Sequence, residues 1–204
     1  DYPSFCTRHV RDPKVWRQGH EWFMVTGARR QDDQGMVLLW RSDDGEQWHF
    51  KSVITSEKAF GYMWECPDLF RLDGHWFLSF SPQGVTREQD RRQNIYLSGY
   101  IPMKGGEDPC TAELDGDFVD WDYGFDFYAP QTFETRDGRR ILFGWAGMAD
   151  ADAEYTVPTK AAGWQHLLTV PREVTLKQGR LCQNPVRELD AMRPEGWFLI
   201  ACIK

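Results

Sequence analysis

The chain has 204 residues, enough for one large all-β domain or two small ones, and 15% of them are aromatic, including ten Trp. A net charge of −7 with no basic tract excludes the footprint of a nucleic-acid binder. No apolar run reaches the roughly 18 residues that span a bilayer, the longest being Trp197 to Ile203, so no membrane partner is expected.

In chain order, the first strong signal is Asp12-Pro13-Lys14-Val15-Trp16, followed by a turn at Gly19 and the apolar strand Trp22-Phe23-Met24-Val25. Met36 to Trp40 continues as a strand, and Ser42-Asp43-Asp44-Gly45 turns it toward Trp48-His49-Phe50. The same arrangement returns at Glu65-Cys66-Pro67-Asp68-Leu69-Phe70, with an Asp73-Gly74 turn and the strand Trp76-Phe77-Leu78. Thr86 to Gln93 reads as a polar loop or single turn, and Asn94 to Tyr100 as outer-strand material. A third copy runs through Ala129-Pro130-Gln131-Thr132-Phe133, an Asp137-Gly138 turn and Ile141-Leu142-Phe143. Ala149 to Ala162 is an irregular connection, and a weaker fourth copy starts at Pro171 with Arg172-Glu173-Val174 before Gly179.

The repeated unit is therefore proline, any residue, an aliphatic or β-branched residue, an aromatic, a tight turn and a hydrophobic strand. With its outer strands each unit holds about four short strands, the make-up of a β-propeller blade. The expected fold is all-β, with about four blades over residues 1–192 and a short atypical tail over 193–204. A meander sandwich is the competing architecture.

Five scattered cysteines (Cys6, Cys66, Cys110, Cys182, Cys202) show no C-x-x-C spacing, and they read as reduced thiols in a cytosolic protein. The five histidines show no metal-ligand pairing, and there is no dinucleotide, P-loop or G-x-S-x-G signature. Neither a metal nor a cofactor is expected. The chain begins at Asp1 without methionine or a signal-like segment, and reads as a piece of something longer.

In a propeller the first strand of each blade lines the axis, so residues just before each repeat proline converge. These are Arg11 and Asp12, Glu65 and Cys66, Asp126 to Ala129, and the weaker Thr169 and Val170. Glu65, beside Trp64 and Pro67, is expected to sit against an aromatic wall that desolvates it and favours its protonated form. Two acids from different blades, ringed with tryptophan, suit glycoside hydrolysis, where an oxocarbenium-like centre needs an acid and a negative partner.

These residues resemble glycoside hydrolase family 32, the invertases and bacterial sucrose-6-phosphate hydrolases. The resemblance rests on Arg11-Asp12-Pro13, Glu65-Cys66-Pro67, Asp126-Phe127-Tyr128-Ala129 and Phe143-Gly144-Trp145, in family order. Gly163-Trp164-Gln165-His166 through Thr169-Val170-Pro171-Arg172-Glu173 looks like the bacterial intracellular branch. It implies a five-bladed propeller and hydrolysis of terminal β-D-fructofuranosides such as sucrose, sucrose-6-phosphate or a fructan. By the same resemblance Glu65 is the general acid/base of a retaining mechanism and Asp12 the transition-state stabiliser. Arg11 holds the carboxylate cluster, Cys66, Asp126 and Trp145 line the fructose pocket, and Tyr128 stands behind them. The blander alternatives are an ion-pair role for Arg11, a filler role for Trp145 and a small buried hydrophobe at Cys66.

The family's nucleophilic aspartate lies in a Trp-x-Asn-Asp-Pro-Asn-Gly type motif that is absent from this sequence. Glu107-Asp108-Pro109 is its nearest likeness, and it stands in the wrong place. The first blade and the family's C-terminal sandwich are likewise expected to be missing. Two other readings compete. A sialidase-like propeller is suggested by Ser42-Asp43-Asp44-Gly45-Glu46-Gln47-Trp48, which misses the Asp-box by one glycine position. A non-catalytic carbohydrate-binding propeller is suggested by the absent nucleophile.

Overall fold

A computed structural model describes residues 2–150 and 158–192. The 193–204 tail, its apolar run, Cys202 and the middle of the 149–162 connection lie outside the described residues. The described chain forms three antiparallel sheets. The first is β1 (Cys6–Gln18), β2 (Glu21–Arg30), β3 (Gly35–Ser42) and β4 (His49–Thr55), in that order. The second is β5 (Met63–Leu72), β6 (His75–Gln83) and β7 (Gly99–Lys104), finished by the short β8 (Glu113–Leu114) and β9 (Val119–Asp120). The third contains β10 (Tyr128–Glu134), β11 (Arg140–Ala146), the short β12 (Leu167–Leu168), β13 (Arg172–Lys177) and β14 (Arg180–Pro185). Each sheet is a blade, and β1, β5 and β10 are their inner strands.

Side chains alternate across a strand, so each inner blade feeds two cores. Leu69 of β5 packs with Val25, Val37 and Leu39 of the first sheet, whereas its neighbour Phe70 packs with Leu142 and Val174 of the third. A sheet covered on both faces reads as an unbroken apolar run, which is why Met36 through Trp40 are all buried. The tryptophans are largely used here. Trp40, Trp64, Trp76 and Trp121 are buried, and their indole N–H groups donate to Thr26 Oγ1, the Phe60 carbonyl, the Gly106 carbonyl and Ser79 Oγ. They are blade fillers with a satisfied polar edge, not sugar platforms. The blades also approach closely: a Cβ on Gly27 would stand 2.1 Å from the Trp64 carbonyl oxygen.

The expected fourth repeat folds differently. Strands β13 and β14 complete the third sheet, with β13 paired to β11 through Arg140↔Val174 and Ile141↔Glu173. In the first three repeats the residue before the proline adopts positive φ: Asp12 at 59°, Cys66 at 49° and Ala129 at 48°. Val170, before Pro171, is not among the positive-φ residues, so this proline opens no inner strand. Its resemblance to the repeat is local composition only.

The near-miss Asp-box is a self-contained turn between β3 and β4. Ser42 Oγ donates to Asp44 Oδ1 and accepts the Gly45 amide at 2.9 Å, while Asp44 Oδ1 accepts the Glu46 and Gln47 amides at 2.8 Å. These amides hold the Asp44 carboxyl below its usual range. Likewise Asp108 caps the short 3-10 turn Pro109–Thr111, and Glu107 pairs with Arg71. Both motifs are turn chemistry.

Candidate active site

The three inner strands carry the same irregularity. Arg11 faces Gly27 and Lys14 faces Val25, so three steps on β1 match two on β2. Glu65↔Ser81 with Asp68↔Ser79, and Tyr128↔Trp145 with Gln131↔Phe143, repeat that count in the other blades. Each is a β-bulge with one extra residue, placed where the proline could not have donated a ladder bond. The left-handed conformation of Asp12, Cys66 and Ala129 is strained backbone for residues with a Cβ, of order 1–3 kcal/mol each.

The bulges bring equivalent positions together. Two residues before each proline stand Arg11, Glu65 and Tyr128, and these meet. Arg11 Nη2 and Nε reach Glu65 Oε1 at 2.6 and 2.8 Å, and the Tyr128 hydroxyl donates to Oε2. Gln83 Nε2 also donates to Oε2, at 2.9 Å. Glu65 is 13% exposed and Arg11 35%, so the pair opens to solvent on the Arg11 side. His9 Nδ1 lies 3.1 Å from Arg11 Nη1 at that rim. Burial, and after it the bond to Glu65, pushes the Tyr128 phenol well above its ordinary pKa, which keeps it a donor.

One residue before each proline stand Asp12 and Cys66. Asp12 Oδ2 accepts the Cys66 amide at 3.0 Å and lies 3.6 Å from its sulfur. Burial first, then the charges of Asp12 and Glu65, push the Cys66 thiol far up. It is a neutral S–H beside a carboxylate, not a nucleophile. Arg11 and Glu65 therefore occupy matching slots, and Asp12 matches Cys66; the two acids sit in adjacent layers rather than at one level. Asp126, half-buried at φ 58°, leads into β10 two residues before Tyr128. Trp145 stands edge-on to Tyr128 at 6.4 Å, and its ring lies 5.1 Å from that of His166.

The aromatic wall differs from expectation. Trp64 does not flank Glu65, because adjacent strand residues point to opposite sides; its ring stacks on Phe80 at 4.1 Å inside the core between the first two blades. Tyr128 supplies the aromatic neighbour instead. Gln83, 8% exposed in the structure, was also missed, its only signal in the sequence being a polar residue closing an apolar strand. Among the described residues, no three His, Cys, Asp or Glu side chains gather in a way that could hold a metal ion. Arg29 and Arg30 are paired with Asp33 and Asp32.

A carboxyl gripped by a guanidinium, a phenol and an amide, with a second carboxylate one layer away, is a proton-transfer and cation-stabilising arrangement. The family model for the glycosyl hydrolases family 32 N-terminal domain matches residues 1–185. The chain belongs to glycoside hydrolase family 32. A sucrose-6-phosphate hydrolase of Bacillus subtilis is 46% identical over 197 residues, covering 94% of this chain and 40% of that protein. A raffinose invertase of Escherichia coli is 45% identical, covering 91% and 38%. Among solved structures, the Bombyx mori family 32 β-fructofuranosidase BmSUC1 superposes with a TM-score of 0.82 at 38% identity, over 91% of this chain and 39% of that one. The chain thus spans about 40% of the length of the relatives it matches. The all-β, propeller-type fold is that of the family, with three of its sheets described here.

Proposed function

We propose that the whole protein hydrolyses terminal β-D-fructofuranosides, sucrose or sucrose-6-phosphate, with retention of configuration. The observation that carries this reading is the meeting of Arg11, Gln83 and Tyr128 on Glu65, with Asp12 pinned beside it. Glu65 protonates the departing glycosyl oxygen, and then as carboxylate takes a proton from the water that releases fructose. Asp12 stabilises the oxocarbenium-like centre and grips fructosyl hydroxyls, with Asp126, Cys66 and Trp145 around the ring. The attacking carboxylate, roughly 5 Å from the acid in a retaining enzyme, belongs to the family motif that residues 1–204 do not contain. Residues 1–192 are accordingly part of the catalytic propeller, 193–204 a short atypical tail, and the chain by itself turns over sucrose very slowly. The unbridged Cys6, Cys66, Cys110 and Cys182 support a cytoplasmic setting.

The test is Glu65→Gln in the whole protein. Turnover of sucrose should fall about 10²–10⁴-fold, and much less for an aryl β-fructofuranoside whose leaving group departs without a proton. Equal losses on both substrates would remove Glu65 from the acid role. Sucrose hydrolysis by residues 1–204 at the rate of the whole protein would overturn the assignment of the nucleophile.

A further inference from the structure

The third slot of the repeat, one residue after each proline, reads as any residue in the sequence. In the structure it holds Lys14, Asp68 and Gln131, and these form a second polar layer beneath Glu65. Lys14 Nζ donates to Gln131 Oε1 at 3.2 Å and to the Thr132 carbonyl at 2.5 Å, with Asp68 Oδ2 at 3.6 Å. Asp68 is 1% exposed and accepts both the amide and the hydroxyl of Thr132 at 2.7 Å. Gln131 Nε2 donates to the Cys66 carbonyl at 3.0 Å.

We propose that Lys14 and Gln131 are positioning residues that fix Asp12 relative to Glu65 by clamping the Cys66 backbone; the proposal rests on the roles given to those two acids above. The geometry is directional. An ammonium only donates, so Lys14 obliges the Gln131 amide to turn its oxygen inward and its nitrogen toward Cys66. The Cys66 carbonyl is then held by Gln131 from the third blade, while the Cys66 amide holds Asp12 of the first blade at 3.0 Å. Cys66 itself sits at φ 49°, a conformation that persists only when its surroundings over-determine it. Asp68 supplies the counter-charge that lets a lysine enter this layer. The clamp thus joins three blades across one strained residue.

The experiment uses the whole protein with Gln131→Glu, Lys14→Met and Lys14→Arg, measuring kcat and KM on sucrose, thermal midpoint, and the alkylation rate of Cys66 followed on its peptide. Gln131→Glu is nearly isosteric; it turns the donor facing the Cys66 carbonyl into an acceptor and places a carboxylate against Lys14 Nζ. A misplacement of about 1 Å costs about 10²-fold, so kcat should fall about 10- to 100-fold with KM changed less than about threefold. The thermal midpoint should hardly move, and Cys66 should alkylate faster. Lys14→Met should lower kcat likewise, with a lower thermal midpoint because buried Asp68 loses its counter-charge, and Lys14→Arg should recover most of both losses. Unchanged kcat in both Gln131→Glu and Lys14→Met overturns the proposal. So does a loss that tracks the thermal midpoint and that Lys14→Arg fails to restore. If the unsubstituted protein cleaves no fructoside, the functional reading fails separately. The clamp is then judged on Cys66 alkylation, and an unchanged rate in the variants overturns it.

Discussion

Arg11 grips Glu65 through a single carboxylate oxygen. Its Nε and Nη2 both reach Oε1, at 2.8 and 2.6 Å, which leaves Oε2 to Gln83 and Tyr128. The Gln83 amide nitrogen can only donate, whereas a phenol oxygen can also accept. When Glu65 carries its proton on Oε2, Tyr128 is the partner able to reverse its role.

Tyr128→Phe in the whole protein should therefore lower kcat/KM on sucrose about 10- to 100-fold, the equivalent of the roughly 1.5–3 kcal/mol of a hydrogen bond to a charged group. Arg11→Lys should not preserve activity, since a point charge cannot bring two converging donors to Oε1. Steady-state kinetics on both variants checks this, and full activity in Tyr128→Phe would show that the phenol is only a filler.

Alkaline pH should weaken the fold through its thiols. Burial, aided by nearby carboxylates, raises Cys66, and it raises Cys110 to about 11. A group whose pKa is higher folded than unfolded contributes stability below its unfolded value, about 8.5 for cysteine, and loses it as pH rises further. The thermal midpoint should fall steadily from about pH 9 upward. In a Cys66→Ser, Cys110→Ser double variant that slope should flatten, and an unchanged slope would assign it elsewhere.

Gly27→Ala tests the blade-to-blade approach. The new Cβ would meet the Trp64 carbonyl oxygen at 2.1 Å, and backbone cannot swing aside as a side chain can. We expect about 3 kcal/mol of destabilisation, the upper end of ordinary overpacking, read as a lower denaturation midpoint. Gly74→Ala is a different case: its added Cβ meets nothing within 4 Å, and only its φ of 82° opposes the change.

Asp44→Ala should lower the thermal midpoint and leave fructoside hydrolysis untouched, because Asp44 serves only its own turn. Its carboxyl pKa is depressed in the fold, so this stability exists above about pH 4 and fades as pH falls. The gap between variant and parent should narrow on acidification. Loss of hydrolysis in Asp44→Ala would reopen the sialidase-like reading.

Much of this was legible before folding. The proline-entry repeat placed Arg11, Asp12, Glu65 and Tyr128 on inner strands, and the Asp73-Gly74 hairpin follows from two residues that accept positive φ, at 49° and 82°. What was not legible depends on the bulge. The count back from each proline already matches Arg11 with Glu65; that the bulged strands bring these two side chains into contact at 2.6 Å is what the sequence does not show. The polar slot after each proline looked variable because lysine, aspartate and glutamine share no side-chain type; only their three-dimensional meeting shows that variety to be complementarity. Trp64 misled for a simpler reason, since a neighbour in a strand points the other way. Pro171 misled because a proline without a left-handed residue before it is merely a proline.

The bulge also sets the parity of each inner strand. One residue more or fewer between Glu65 and Asp68 would exchange odd for even, sending Leu69 toward the third blade and Phe70 toward the first. The same miscount would turn Asp68 away from Lys14. Insertions in the outer loops leave that count alone, whereas a single deletion at Pro67 scrambles chemistry and packing together. Length changes are therefore compatible with the fold only on the outer side of the blade, and the axis keeps the arithmetic.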